Sequence, residues 1–189
     1  KKRFGQIHTY EQWLQPYLVS NTLQLLQSEI PKLRNRIESV QLCFTTDPFM
    51  YEFDEIAKMS KDAIRLLNLN GIKCTVLTKG ILPLELGDKK NYSMDNEYGI
   101  TLISLDEKYR EKMEPYAAPY QQRIDALKAL HDSGCKTWIS MEPYPTPNLI
   151  DQDINELLEA VSFTDKIIFG RTNYCKEVSL GYPQHKHFY

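Results

Sequence analysis

Tyr98-Gly99-Ile100-Thr101-Leu102-Ile103-Ser104-Leu105-Asp106-Glu107 holds the pattern that decides the fold. The run Ile100-Thr101-Leu102-Ile103 has no polar alternation and stops abruptly at a hydroxyl and a carboxylate, after which helix-forming residues begin. A strand of that kind is buried on both faces, as strands of parallel sheets are. The same pattern stands on either side of it. Val40-Gln41-Leu42-Cys43-Phe44 runs into Thr45-Thr46-Asp47-Pro48, and Cys74-Thr75-Val76-Leu77 into Thr78-Lys79-Gly80. Further on, Thr137-Trp138-Ile139-Ser140-Met141 meets Glu142-Pro143, and Lys166-Ile167-Ile168-Phe169 meets Gly170-Arg171.

Helical stretches separate these runs. Leu23, Leu26, Ile30, Leu33 and Ile37 recur at helical spacing over 20–39, with Pro31 as a kink. A second helix is expected over 54–68, with Ile56, Met59, Ala63 and Leu66 or Leu67 inward, and Gly71 where a left-handed stop is wanted. A short turn of helix is expected at 83–86, then a helix over 106–113 capped by Asp106. The next covers 120–132 with Ile124, Leu127 and Leu130 inward, and the last covers 151–161 with Ile154, Leu157, Leu158 and Val161 inward. The stretch up to Gln15 reads as an extended lead-in. Alternation of this kind implies an α/β fold, with parallel strands joined by right-handed crossovers. Its C-terminal strand ends all lie along one edge, which is where such folds assemble their sites. Thr46, Asp47, Lys79, Ser104, Glu142 and Arg171 are therefore expected to converge.

The chain has 189 residues, enough for one sizeable core, and one domain over 1–189 is the reading. No run reaches the about 18 apolar residues of a membrane span, and Lys1-Lys2-Arg3-Phe4-Gly5 leads into no apolar stretch, so no signal peptide is read. A net charge of −2 with scattered basic residues gives no broad attraction for nucleic acid. The four cysteines, Cys43, Cys74, Cys135 and Cys175, are too far apart for a CxxC or CxxxCxxC ligand set. Cys43, Cys74 and Cys135 lie in or beside strand runs, where a free thiol behaves as a small buried hydrophobe. Reduced thiols fit a cytoplasmic protein.

Among the candidate site residues, Lys79 at the mouth of an apolar run points at an anion or at a partner acid such as Asp47. Thr46 and Asp47 offer a hydroxyl and a carboxylate suited to an amino group or a ribose, or Asp47 caps the following helix. Ser104 is a rim hydroxyl or a turn cap. Glu142 is a carboxylate at the mouth or a surface acid, and Arg171 is an anion clamp or a solvated cation. Arg123 is expected to pair back with Glu114 and fix the intervening loop. His185-Lys186-His187 reads as a solvated tail. No phosphate-cradling glycine loop, GxSxG or HExxH is present.

Five segments in order carry a resemblance. They are TTDPF from Thr45, TVLTKG from Thr75, YGITLISLDE from Tyr98, EPYAAPYQQRIDAL from Glu114 and SGCKTWISMEP from Ser133. This set resembles the radical S-adenosylmethionine enzymes, and within them the branch related to spore photoproduct lyase. The resemblance implies an incomplete six-stranded (β/α) barrel that binds S-adenosylmethionine and a [4Fe–4S] cluster and generates a 5′-deoxyadenosyl radical. It places Thr46 and Asp47 near the amino acid moiety of the cosubstrate, Lys79 near its carboxylate and Ser104 near the ribose. It also implies that the cysteine triplet of the cluster lies ahead of Lys1 after a first strand, so that this chain is a partial barrel, inactive alone. The strand holding Val40 would then be an open edge inviting self-association. The hydrogen-donating cysteine of spore photoproduct lyase would fall at Phe44, which speaks against thymine-dimer reversal. Whether the substrate is a small molecule or a nucleic acid stays open. Two rival readings are a lyase using Lys79 as a Schiff-base nucleophile and a binding module for a nucleoside-like ligand.

Overall fold

The computed structural model describes residues 8–43, 45–171 and 183–184. Phe44, Cys175 and the 185–187 tail lie outside the described residues, and so do the expectations attached to them. Five strands form one sheet in the order of the chain: β1 (Ser39–Gln41), β2 (Lys73–Thr78), β3 (Glu97–Thr101), β4 (Lys136–Tyr144) and β5 (Lys166–Arg171). Every neighbouring pair is parallel. The sheet curls into a half-barrel, the architecture expected of a partial (β/α) barrel. Sequential order with only parallel pairing follows from the helices between strands, since each crossover returns the chain to the same end of the sheet.

The helices are α1 (Tyr10–Leu14), α2 (Thr22–Leu33), α3 (Asp54–Leu69), α4 (Glu107–Met113), α5 (Tyr120–Asp132) and α6 (Ile154–Ala160), with a 3-10 turn at Leu84–Gly87. One face of the sheet, carrying Cys74, Val76, Tyr98, Ile100 and Ile139, joins Ile64 and Leu67 of α3 and Leu127 and Leu130 of α5 in a single buried core. The alternate strand residues face the other way. There Trp138 lies flat over Gly99, where any β-carbon would sit 2.4 Å from the indole.

Helix ends follow local chemistry. Asp106 caps α4 by accepting from the amides of Lys108 and Tyr109, at 2.7 and 3.2 Å. Gly71 and Gly134 close α3 and α5 with φ of 73° and 87°, a left-handed backbone that costs glycine little. α5 spans the expected residues.

Several expectations need correction. The lead-in to Gln15 contains α1, started by a capping box in which the Thr9 side chain accepts from Gln12 N while the Gln12 side chain accepts from Thr9 N. β3 begins and ends earlier than its apolar run: Leu102 and Ile103 are buried outside the ladder, because burial and strand pairing are separate things. The buried stripe of α3 is Ser60, Ile64 and Leu67, about one residue round from the expected face. α6 is shorter than expected, and its Leu158 is 37% exposed. Cys74 and Cys135 are buried, but Cys43 is exposed, with a left-handed φ of 53° where the chain leaves β1. No helix among the described residues is long and apolar enough to cross a membrane.

Candidate functional site at the C-terminal rim

Because all five strands run the same way, the residues that follow them share one rim. Asp47 lies in the turn after β1, Lys79 directly follows β2, Ser104 follows β3, Glu142 stands in the last part of β4 and Arg171 ends β5 in register with Tyr144. The convergence read from the strand pattern is present in this sense, although the residues do not form one contact cluster.

Asp47 ties the first two strands together. Its carboxylate accepts from Phe49 N at 2.9 Å, from Lys79 N at 2.7 Å and from the Thr78 hydroxyl. A carboxylate has about four lone-pair sites, so three of them are occupied by the protein itself. Asp47 is thus neither the cap of α3, whose N-cap is Phe53 without a side-chain bond, nor the partner of the Lys79 ammonium. The turn is tight enough that a β-carbon on Gly80 would lie 1.7 Å from the Phe49 carbonyl oxygen. Thr46 is exposed beside Cys43. The Cys43 thiol is pushed above its usual range, chiefly by desolvation; contact with the Thr46 hydroxyl opposes the rise, and the Asp47 charge adds to it.

The Lys79 ammonium pairs with Glu114, whose second oxygen accepts from Arg123 Nη2 at 3.0 Å. Side-chain exposure falls along this chain from 42% at Lys79 to 6% at Glu114 and 0% at Arg123. The other two guanidinium nitrogens of Arg123 donate to backbone, Nε to Ala118 O at 2.7 Å and Nη1 to Thr101 O at 2.9 Å. Its guanidinium also lies 4.9 Å from the Tyr120 ring centre. The Tyr120 hydroxyl is buried without a partner among the described residues, and burial, then the Glu114 charge, pushes its pKa up, so it stays neutral. Ala118 N donates to Lys79 O at 2.9 Å and closes the ring of contacts. A fully buried arginine is tolerated because each of its three guanidinium nitrogens has an acceptor and its charge is paired. The Glu114–Arg123 pairing was expected; that Lys79 shares the same carboxylate was not. The signal available was the acid at 114 on a loop after β3, next to the end of β2.

Ser104 is fully buried, and its hydroxyl oxygen accepts from Asp106 N at 3.0 Å, which is the turn-capping alternative. It still has its own proton to donate. Glu142 is exposed, is joined to Pro143 by a cis peptide and rests on Gly170, where a β-carbon would lie 2.1 Å from Oε1. The register slips between Met141 and Tyr144, which re-aims the end of β4. Taken together, the rim carries an ammonium backed by a buried carboxylate and guanidinium; these three groups have one positive charge in excess, which the Asp47 carboxylate beside Lys79 offsets. Acids and hydroxyls are spread along the same edge. A lyase nucleophile would need a desolvated neutral amine, whereas Lys79 is part-exposed and held as an ion pair.

Comparison with known proteins shows the family. The family profile described as the Radical SAM superfamily matches residues 3–161. An uncharacterized protein of Acidianus two-tailed virus, ORF301, is 22% identical over 150 residues, covering 79% of this chain and 49% of the viral protein. An uncharacterized protein of Methanocaldococcus jannaschii, MJ0683, is 32% identical over 77 residues, 41% of this chain and 29% of that protein. The chain therefore spans about half the length of the first relative and under a third of the second. No solved structure matches it.

Proposed function

Because the chain belongs to the radical S-adenosylmethionine superfamily, we propose that the C-terminal rim of its half-barrel binds S-adenosylmethionine. The observation that carries this reading is the Lys79–Glu114–Arg123 chain, a preset positive charge at a strand end. S-adenosylmethionine presents a carboxylate, an ammonium, a sulfonium and a ribose, so its site needs a cation, acids and hydroxyls on one edge. In this reading Lys79 takes the carboxylate. Thr46 and the free lone pair of Asp47 face the amino end, and Glu142 offers a carboxylate to the cationic part; Ser104, fully buried, braces the turn beneath this edge without reaching the ribose.

Enzymes of the superfamily use this cosubstrate with a [4Fe–4S] cluster. The described residues do not fit a cluster: Cys74 and Cys135 are sealed in the helix-facing core, and no group of three His, Cys, Asp or Glu among these residues could hold a metal ion. No CxxxCxxC spacing occurs in the sequence. We therefore assign the cluster, and with it radical generation, to a longer protein of which this chain supplies the cosubstrate rim and is inactive alone. Five ordered motifs favour the spore photoproduct lyase-like branch.

Calorimetric titration of the 189-residue chain with S-adenosylmethionine tests the reading. Saturable binding is expected, weakened about 10-fold or more in Lys79→Met, as for the loss of one partner in a charge-assisted contact. A flat titration, or a Lys79→Met chain that binds as well as the original, sinks it.

A further inference from the structure

We propose that Glu114 and Arg123 are positioning residues, which fix the Lys79 ammonium at the place where the anionic end of a rim ligand must meet it. The proposal rests on the S-adenosylmethionine reading above and names what makes Lys79 fit for it. Neither residue needs to touch the ligand, since their side chains are 6% and 0% exposed. What they offer is geometry. Arg123 is locked by its guanidinium fork to Thr101 O, the last residue of β3, and to Ala118 O in the following loop. It holds one oxygen of Glu114, and the other oxygen holds Lys79. The ammonium at the end of β2 is thereby registered to the end of β3.

The physical need for this is plain in the lysine itself. Its four-carbon stem is flexible, and ordering it on binding costs rotamer entropy. An ion pair with a carboxylate that cannot move removes most of that cost beforehand, which is preorganisation. The loop carrying Glu114 is itself fixed. Arg110 Nη1 donates to Ala117 O at 2.9 Å, Tyr120 N donates to Glu107 Oε1 at 2.6 Å, and Ala118 N holds Lys79 O at 2.9 Å. Without the Glu114 charge, Lys79 and Arg123 would be left as two neighbouring cations. The more exposed of them, Lys79, would swing into solvent.

The test compares two ligands that differ only at the anion, S-adenosylmethionine and its decarboxylated form, which keeps the nucleoside, the sulfonium and the ammonium. Binding of each to the 189-residue chain is measured by calorimetry for the original sequence, Glu114→Gln, Lys79→Met and the double variant. Glu114→Gln is expected to weaken S-adenosylmethionine about 10-fold while leaving the decarboxylated ligand unchanged, and the double variant to bind no worse than Lys79→Met alone. Equal losses for both ligands would mean a merely structural role. An unchanged or tighter S-adenosylmethionine affinity in Glu114→Gln, or losses that multiply in the double variant, would equally overturn the proposal. Should Glu114→Gln fail to fold, Glu114→Asp keeps the charge that Arg123 needs and withdraws it from Lys79 by one methylene; the same selective loss is expected. If the original chain binds neither ligand, it is the cosubstrate reading that has failed, and the positioning role falls with it. That pattern is distinct from every one above.

Discussion

On the β2–β3 side of the rim, Asp47, Thr78, Lys79, Glu114 and Arg123 are joined by a continuous set of hydrogen bonds and ion pairs. On the β4–β5 side, Glu142 is exposed against Gly170, and Ile168 and Phe169 of β5 are 37% and 55% exposed. The two halves show what a polar group gains from burial. In the closed half each member is needed by its neighbours, because a charge left unpaired at low dielectric is costly. In the open half water replaces any lost partner.

Breaking the closed half should produce the largest effect. Arg123→Met, which removes the buried guanidinium and three of its contacts, is expected to cost about 3–5 kcal/mol of stability, while Glu142→Gln should stay within about 0.5 kcal/mol. Denaturant unfolding of both variants measures the contrast, and equal midpoints would erase it. Next come the two glycines that admit a neighbour. Gly80→Ala drives a β-carbon into the Phe49 carbonyl, a backbone atom, and should cost about 1–3 kcal/mol. At Gly170 the obstacle is the far end of the Glu142 side chain, which can turn away, so Gly170→Ala should lower the melting temperature far less.

A smaller effect concerns how the open half is held from below. Asp165 accepts from Thr137 N at 2.6 Å and from the Thr137 hydroxyl at 3.1 Å, joining β4 to the start of β5. The Thr137 amide is the main cause that holds its carboxyl below the ordinary 3.8; the nearby His131 also lowers it. A lowered carboxyl pKa stabilises the fold above the unfolded value, and that contribution is lost as pH falls through the folded one. Hydrogen exchange at the Thr137 amide should therefore quicken selectively below about pH 4, and Asp165→Asn should remove the pH dependence. Finally, Cys74 is buried, and desolvation pushes its thiol to about 12. Mass-resolved alkylation should label exposed Cys43 well before Cys74 or Cys135 in the folded chain. Simultaneous labelling would mean that the core opens more readily than its packing implies.

Much of this was readable before any coordinates, and the misses have physical causes. α5 was found to the residue because a proline precedes it, a glycine follows it and its apolar spacing is regular. β3 was misplaced because Leu102 and Ile103 are apolar for the sake of the core, not of the ladder. α1 was missed although Thr9 and Gln12 spell a capping box; the aromatic residues around it hid the periodicity. Asp47 could be a helix cap or a ligand carboxylate by sequence; its three protein donors exclude the cap and leave one lone pair.

The run of unalternating strands between helices fixed from the outset that the strands would be parallel, and therefore that Asp47, Lys79, Ser104 and Glu142 would stand on one rim. Strand direction is a local consequence of crossover connections, so it is written in the order of elements. Which acid would hold Lys79 was decided only by the tertiary structure. Glu114 lies 35 residues further along the chain, and it reaches the lysine because Arg123 and the backbone of its loop pin it there. Spacing along a chain says where a side chain leaves the backbone; only packing says what it meets.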